Sequence, residues 1–346
     1  MVADDSQEGA TPPRMDIFLQ QIINGLTLGS VYAVVALGYT MVYGIIQLIN
    51  FAHGEVVMIG CMVAFSVIVA LANSGMPPLV IVGIGILAAV PVCMAVGYVV
   101  ERVAYRPLRN APRLAPLITA IGVSIILQHL ALLVWSRNII AFPQILELRL
   151  FHFGSSESAA AISNIQIAII LTSIAMMAGL LLLVYRTRIG IAMRATSQNP
   201  QVAGLMGVDI NRVISFTFVI GAALGAVAGV MVGSYYGIAH YQMGFLLGLK
   251  AFSAAVLGGI GNLAGAVLGG ILMGLIESLG AGYVGDWTNV CTLNEFLPGF
   301  ADVCAASPDA SLFGSNYKDV YAFIVLILVL VFRPQGLLGE RVGDRA

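Results

Sequence analysis

Three polar side chains that could do chemistry stand between two apolar runs near the start of the chain. They are Asn50, His53 and Glu55, and they lie within residues 45–55, which we call the polar break. Ionisable groups inside a bilayer are costly, so they persist where they face protein or water. The polar break is therefore a candidate lining of a substrate path. The alternative is a structural cap that ties a broken or re-entrant helix together.

Other polar groups inside the apolar runs are few. Glu277 is expected near the outer end of its run, where it could face the interface, and Lys250 either extends to the same side or pairs with a carboxylate. One or two carboxylates are too few to favour ion coupling. No Gly is followed by Lys, which excludes a P-loop, and no metal motif occurs. We therefore expect no catalytic residue, no metal and no cofactor in this chain.

The composition is that of an integral membrane protein. Apolar residues make up 59% of the 346 residues and charged residues only 10%, against roughly 25% charged in soluble domains. The sequence predicts an all-α polytopic membrane protein of roughly eight or nine transmembrane helices, since a span needs about 20 apolar residues. The apolar runs lie at about 17–44, 56–73, 78–100, 114–135, 164–185, 213–236, 246–262, 263–282 and 319–333.

The charges predict the orientation of these runs. Arginines cluster at 102–113, 186–212 and 333–345, whereas residues 285–317 contain acids and no Lys or Arg. By the positive-inside rule the arginine-rich segments are cytoplasmic and the acidic segment is exterior. The predicted organisation is a polar tail at 1–15, a membrane domain at 16–335 with a cytoplasmic loop at 186–212 and an exterior loop at 285–318, and a cytoplasmic tail at 336–346.

Cysteines and glycines add two structural expectations. Cys291 and Cys304 fall in the exterior loop, where an oxidising compartment would let them pair, although spacing alone leaves that open. Glycines recur every fourth residue in two runs, and such spacing favours close helix packing in lipid, with a substrate path or a moving interface as the alternative. The glycines assigned to packing are Gly221, Gly225, Gly229, Gly233, Gly261, Gly265 and Gly269.

The cytoplasmic loop contains a predicted short helix. Asn199 is its expected N-cap, Pro200 fits the first helical position, and Gly207 is expected to stop it. Apolar side chains at 202, 205 and 206 would share one face of this helix. A short helix with an apolar stripe outside the membrane favours a protein partner. The alternative is a helix that lies on the lipid interface.

Four segments in order resemble a known family. INFAHGE (49–55), AMRATSQNPQVAGLMGVDINR (192–212), KAFSAAVLGGIGNLAGAVLGGILMGLIES (250–278) and FRPQGLLGE (332–340) are similar to the H-type permease subunits of bacterial branched-chain amino acid ABC importers. The resemblance implies a non-catalytic subunit of the bacterial inner membrane. It also implies a second related permease, two cytoplasmic ATPases that hold ATP and Mg, and a periplasmic binding protein.

The same resemblance implies docking residues in the loop that matches 192–212. They are Arg194, Ala195, Asn199, Pro200, Ala203 and Gly207. The exterior insertion around residues 286–318 and the N-terminal tail are longer than the family pattern. The insertion lies where a binding protein could touch, which leaves the choice of binding protein open. Urea and short-amide ABC permeases look much alike. The sequence also leaves open a stand-alone ion-coupled transporter and a passive solute channel, and neither of these needs the loop at 186–213.

Overall fold

A computed structural model describes residues 14–109, 111–112, 114–153, 160–284, 288–291, 304, 311–313 and 317–339. In this part of the chain, seven helices are long and apolar enough to cross a membrane. Two shorter apolar helices, Met243–Gly258 and Lys318–Phe332, have 16 and 15 residues. The prediction of an all-α polytopic membrane protein is confirmed, and the two short helices account for the difference between seven spans and nine apolar runs.

The helices follow the predicted apolar runs closely. Their bounds are α1 Arg14–Ile46, α2 His53–Leu71, α3 Pro78–Val100, α4 Leu114–Val134, α5 Asn164–Arg186, α6 Arg188–Gln198, α7 Pro200–Leu205, α8 Ile210–Tyr236, α9 Met243–Gly258, α10 Leu263–Leu279 and α11 Lys318–Phe332. A π-helical turn, Glu101–Tyr105, and a 3-10 turn, Arg106–Leu108, extend α3. Another π-helical turn, Gly280–Val284, extends α10.

Helices α1, α2 and α8 form the centre of the bundle, and each buries most of its apolar window. Helix α1 packs along α10, where Gly29 lies against the backbone of Ile271. Helix α8 packs along α2, and a Cβ at Gly229 would overlap the carbonyl oxygen of Val57. Because glycine has no side chain, these helix backbones approach each other closely and gain dispersion contacts along their length.

The predicted packing glycines divide into two groups. Those in α8, together with Gly265 and Gly269 in α10, lie in helices that pack against α1, α2 or α9. Gly261 does not belong with them. It lies in the turn between α9 and α10, has φ +97° and has no neighbouring atom within 4 Å of a Cβ position. Its role is the left-handed backbone conformation of that turn, so its assignment to helix packing is wrong.

Contacts between connecting segments define the two ends of the bundle. Strand β1, Ile140–Ala141, follows α4 and pairs with strand β4, Ile238–Ala239, which follows α8. At the opposite end, the α9–α10 turn contacts the residues that follow α11, where the Leu337 and Leu338 amides donate to the carbonyls of Leu257 and Gly258. We call the first the exterior end and the second the cytoplasmic end, after the orientation predicted from charge.

The predicted tails and exterior loop are only partly described. Residues 336–339 pack against the α9–α10 turn, so the described start of the predicted C-terminal tail belongs to the folded bundle. In the predicted exterior loop, Cys291 and Cys304 form a disulfide with Cα atoms 5.0 Å apart. A two-stranded hairpin, β2 Leu150–Phe153 and β3 Ala160–Ser163, precedes α5 at the same end. Most of the predicted N-terminal tail lies outside the described residues.

Candidate functional site

The polar break joins α1 to α2 by a non-helical segment that turns back along α1. Gln47 follows the last residue of α1 with φ 56°, and α2 begins at His53. The His53 ring lies against Gly38 and packs edge-on to Tyr39 with ring centroids 4.8 Å apart. Gly38 stands about two turns before the end of α1. Helix α2 therefore starts inside the bundle and is itself long enough to cross the membrane, so of the two predicted alternatives the segment is a broken helix and not a re-entrant half-span.

Each polar side chain of the break is buried and contacts a different helix. The Tyr105 hydroxyl, at the end of the extended α3, donates to Asn50 Oδ1 at 3.0 Å. His53 contacts α1 through Tyr39, and its Nε2 has no hydrogen-bond partner within the described residues. Glu55 Oε1 accepts hydrogen bonds from two side chains of α4. The three side chains thus tie the break to three neighbouring helices.

Glu55 is fully buried between α2, α4 and α9. Its Oε1 accepts from the Ser124 hydroxyl at 3.0 Å and from the Gln128 amide at 2.7 Å. Its Oε2 has no partner in the described part of the chain and lies next to Gly244. Since neither Gly54 nor Gly244 has a side chain, the first turns of α2 and α9 come into backbone contact beside this carboxyl.

Two large cavities lie elsewhere in the bundle. A cavity of about 760 Å³ opens at the exterior end beside α1, α5 and α8. A cavity of about 650 Å³ lies near the cytoplasmic end beside α1, α5, α6 and the α9–α10 turn. Asn50, His53 and Glu55 line neither of them. The polar break is therefore a packed internal joint in this structure, separate from both cavities.

The predicted short helix of the cytoplasmic loop is confirmed as α7. The Asn199 side chain accepts from the Gln201 and Val202 amides at 3.1 Å each, and Pro200 occupies the first turn. Gly207 follows the helix with φ +89°. Leu205 is 87% exposed and Met206 81% exposed, and Val202 shares their exposed face. A capped helix therefore presents a bare apolar stripe beyond the bundle.

The other predicted docking residues occupy different environments. Arg194 lies on α6, with its guanidinium 5.3 Å from the centroid of the Tyr185 ring, and it lines the cytoplasmic cavity. Ala195 is half-buried on the same helix. Ala203 is buried, and its carbonyl accepts from the Val208 amide at 3.0 Å. Of the predicted set, Asn199, Pro200, Ala203 and Gly207 belong to α7 or its two ends, whereas Arg194 and Ala195 lie on α6.

A buried charge cluster near the exterior end was not foreseen as a unit. Lys250 Nζ lies 2.9 Å from Glu277 Oε1 and 2.6 Å from Asp319 Oδ1. The Tyr32 hydroxyl donates to Glu277 Oε2 at 2.8 Å. Glu277 is fully buried, so the expectation that it faces the interface is wrong. The nearest cation to Glu277 is Lys250 on α9, and Lys318 Nζ lies 3.9 Å from the same oxygen. Of the two alternatives for Lys250, the structure has the pairing with a carboxylate.

A second charge cluster lies at the cytoplasmic end. Glu101, in the π-helical turn after α3, is fully buried and forms an ion pair with Arg109. Its other oxygen accepts from the Ser215 hydroxyl at 2.6 Å. Arg109 also donates to Asn211 Oδ1 at 2.7 Å. The sequence did not predict this charge cluster, because its residues come from two segments that are distant in the chain. Each segment has the composition of an ordinary polar helix end.

Membrane-length helices, a buried polar joint and an exposed apolar helix beyond the bundle define a multi-pass, all-α membrane protein. The family model described as the permease component of branched-chain amino acid transport systems matches residues 21–330. The chain therefore belongs to that permease family, and the resemblance seen in the sequence is confirmed.

Individual relatives cover nearly the whole chain. It is 46% identical over 329 residues to the high-affinity branched-chain amino acid transport system permease protein BraD of Pseudomonas aeruginosa, covering 95% of this chain and 98% of the relative. It is 42% identical over 324 residues to the corresponding protein LivH of Escherichia coli K12, covering 93% and 96%. A probable LivH of Methanocaldococcus jannaschii is 27% identical over 345 residues, covering 94% of each chain. No solved structure matches the chain.

Proposed function

We propose that this chain is one permease half of an ATP-driven importer for aliphatic, branched-chain amino acids. A second related permease completes the pore, and two cytoplasmic ATPases that bind ATP and Mg power it. A periplasmic binding protein supplies the substrate. The names of the relatives support the substrate class, since BraD and LivH are both described as branched-chain amino acid permeases. This chain itself hydrolyses nothing.

The observation that carries the proposal is α7. Leu205 and Met206 are the most exposed apolar side chains of the cytoplasmic loop. Exposing them to water is unfavourable by about 25 cal/mol per Å² of apolar surface, so a groove on a partner protein is the natural place for this stripe. A stand-alone ion-coupled transporter or a passive channel has no need of such a helix.

The connections of α7 supply a route for mechanical coupling. Asp209 follows it closely and caps α8, since its side chain accepts from the Arg212 amide at 3.2 Å. In the first turn of α8, Asn211 accepts from Arg109 beyond the end of α3. A displacement of α7 by closing ATPases would thus move α8 and α3 together. Rigid elements of this kind can switch a pore between inward-facing and outward-facing states.

The polar break fits a structural role in this scheme. Asn50, His53 and Glu55 each contact a different helix and line neither cavity. Of the two interpretations of the break, these contacts favour the structural cap that ties the broken helix together over the lining of the path. Substrate affinity would reside mainly in the binding protein.

The test is ATP-dependent uptake by the complete transporter in proteoliposomes, with L-leucine delivered by the binding protein. Leu205→Glu should leave the chain in the membrane and abolish both uptake and substrate-stimulated ATP hydrolysis. The matched control is Ile139→Glu, which places the same charge at a position that is 66% exposed at the exterior end. Equal activity of the two variants would reject the coupling role of α7.

The transported substrate distinguishes an amino acid importer from an amide importer. Uptake of urea or a short amide in place of leucine, with the same dependence on α7, would make the chain an amide permease of the same architecture. Uptake that needs no ATPase partner would reject the importer proposal as a whole.

A further inference from the structure

The cytoplasmic cavity carries a positive charge that no acidic side chain balances. Arg194 of α6 lines this cavity, and no Asp or Glu lines it within the described part of the chain. The Arg194 guanidinium lies 5.3 Å from the centroid of the Tyr185 ring and belongs to none of the ion pairs between described residues. Arg186 and Arg188, at the junction of α5 and α6, are exposed and also outside those pairs. This concentration of positive charge favours an anionic ligand.

Other walls of the same cavity are apolar. Aliphatic and thioether side chains from three elements contribute to them, namely Met41, Ile45, Val184, Val256 and Ile260. The volume of about 650 Å³ falls within the range of about 300–1,000 Å³ that is typical of ligand sites. A ligand that matches both the charge and these walls has an anionic head and an apolar body.

The cavity is bounded by the ends of two helices at the periphery of the bundle. Its lining includes the last turn of α5, and also Pro334 and Gln335, which follow α11. Helix α5 buries only 22% of its apolar window, and the last turn of α11 exposes Val331 and Phe332. The exposed ring of Tyr185 is of the type that is enriched at membrane interfaces. The surroundings of the cavity thus present lipid-compatible surface at the cytoplasmic end of the bundle.

One wall of the cavity holds a buried hydroxyl without a partner. Thr40 of α1 is 1% exposed and lines the cavity, and its Oγ1 has no hydrogen-bond partner among the described residues. A helical threonine usually donates to its own backbone, as Thr217 does to the Val213 carbonyl at 2.8 Å. Ser173 on α5 is also unpartnered, but it lines neither large cavity. Since buried polar groups are nearly always hydrogen-bonded, the Thr40 hydroxyl is a donor that a ligand in the cavity would satisfy.

We propose that the cytoplasmic cavity binds the phosphate group of an anionic phospholipid, with Arg194 as its cation and the Thr40 hydroxyl as a further donor. A guanidinium presents a fork of N–H donors that fits phosphate oxygens. Basic pockets between membrane helices on the cytoplasmic side are suited to lipid headgroups, and the apolar walls suit the start of the acyl chains. The proposal gives Arg194 a ligand at this chain's own cavity, in place of the ATPase contact that the resemblance implies.

A bound lipid would hold α6 in place. Gln198 is the last residue of α6 and lines the cavity, and the next residue, Asn199, caps α7. A lipid that fixes α6 therefore also fixes the start of α7, which the proposed function assigns to ATPase coupling. This consequence rests on the proposed function and predicts that ATP-driven uptake needs anionic lipid. The binding of the lipid itself does not depend on what the chain transports.

A lipid titration of the purified protein, together with its native partners, tests the site. Phosphatidylglycerol is added in a neutral detergent, phosphatidylcholine with the same acyl chains is the zwitterionic control, and native mass spectrometry measures the bound lipid. Arg194→Gln should weaken phosphatidylglycerol binding roughly tenfold or more, the size of a lost hydrogen bond to a charged group. The matched control is Arg212→Gln, which removes an exposed arginine at the same end but outside the cavity. Equal binding by these two variants overturns the site.

An isosteric pair of substitutions tests the hydroxyl. Thr40→Val and Thr217→Val each remove one buried hydroxyl from a membrane helix. Thr40→Val should weaken phosphatidylglycerol binding roughly three- to tenfold, the size of one net hydrogen bond, and should leave the Tm in phosphatidylcholine unchanged. Thr217→Val should bind phosphatidylglycerol as wild type does. Unchanged binding by Thr40→Val overturns the role of this hydroxyl.

Inorganic phosphate distinguishes a lipid from a soluble source of the same chemical group. Phosphatidylglycerol should raise the Tm of the wild-type protein, because a ligand that binds the folded state stabilises it. Millimolar inorganic phosphate in phosphatidylcholine should leave the Tm unchanged, and an equal rise with inorganic phosphate overturns the lipid as the ligand.

Uptake in proteoliposomes tests the consequence for coupling. ATP-driven leucine uptake should fall when phosphatidylcholine replaces phosphatidylglycerol, and equal uptake in the two lipids overturns the link between the cavity and α7. If wild type takes up no leucine in either lipid, the proposed function fails, and the titration still decides whether the cavity binds the lipid.

Discussion

Lys250 on α9 and Glu277 on α10 form a buried ion pair with Nζ and Oε1 2.9 Å apart. Asp319, in the first turn of α11, approaches the same Nζ at 2.6 Å. Glu277 lies shortly before the exterior loop, and Asp319 immediately follows it. Lys250 therefore pairs with one carboxylate before that loop and one after it, and it joins three helices at the exterior end of the bundle.

Removing the lysine should be strongly destabilising. Lys250→Ala removes the buried cation nearest to both carboxylates and leaves only the more exposed Lys318, whose Nζ lies 3.9 Å from Glu277 Oε1. Breaking a buried pair in this way costs about 3–5 kcal/mol. Thermal unfolding in detergent would show a large fall in Tm. The control is Arg149→Ala, since the Arg149–Glu147 pair has side chains that are 73% and 84% exposed and should contribute about 1 kcal/mol or less. Comparable small shifts for both variants would contradict a stabilising role for the buried cluster.

Two glycine-to-alanine substitutions should distinguish a glycine that allows close contact between helices from one that makes no such contact. Gly229→Ala places a Cβ onto the Val57 carbonyl oxygen, so α8 and α2 must move apart. We expect a loss of several kcal/mol, because overpacking costs about 1–3 kcal/mol and the lost contacts add to it. Gly179→Ala on α5 meets no atom within 4 Å and should be neutral or stabilise by about 0.5–1 kcal/mol. Unfolding temperatures of the two variants provide the comparison.

The sequence predicted well those features that depend on interactions between residues close together in the chain. The start and stop of α7 follow from Asn199, Pro200 and Gly207, whose side chains or backbone act on their immediate neighbours. The apolar runs predicted the membrane helices for the same reason, since each helix satisfies its own backbone. Gly261 shows the limit, because a four-residue glycine spacing continues unchanged from a turn into a helix.

What the sequence could not predict depends on contacts across the bundle. Glu277 finds its cation on another helix, and Arg109 finds Asn211 beyond four intervening helices. The two cavities and the unpartnered hydroxyls of Ser173 and Thr40 exist only once α1 and α5 are packed. Their residue types are ordinary for membrane helices, and no periodicity distinguishes them from packing serines and threonines.

Glu55→Gln should test the polar break as a structural joint. The new amide would place its NH₂ group at the former Oε2 position, where the described residues offer no partner, while Oε1 keeps its bonds from Ser124 and Gln128. A buried donor without a partner costs about 1–3 kcal/mol. We therefore expect a lower Tm with uptake retained. Glu147→Gln, at an exposed carboxylate, should leave Tm unchanged, and lost uptake of Glu55→Gln at normal stability would instead favour the substrate path.

Gly207→Pro should abolish substrate-stimulated ATP hydrolysis without expelling the chain from the membrane. Gly207 has φ +89° and its amide donates to the Gly204 carbonyl at 3.0 Å, whereas proline requires φ near −65° and has no amide hydrogen. The end of α7 must therefore rearrange, and with it the apolar stripe.

Gly75→Pro is the matched control, because Gly75 also has a left-handed backbone, φ +72°, in the turn between α2 and α3 at the exterior end. Substrate-stimulated ATP hydrolysis of the reconstituted complex should vanish for the variant at 207 and persist for the variant at 75. Since both proteins should appear in the membrane in similar amounts, a difference in hydrolysis reports on α7 itself. Unchanged stimulation in Gly207→Pro would show that the ATPases dock on another surface of this chain.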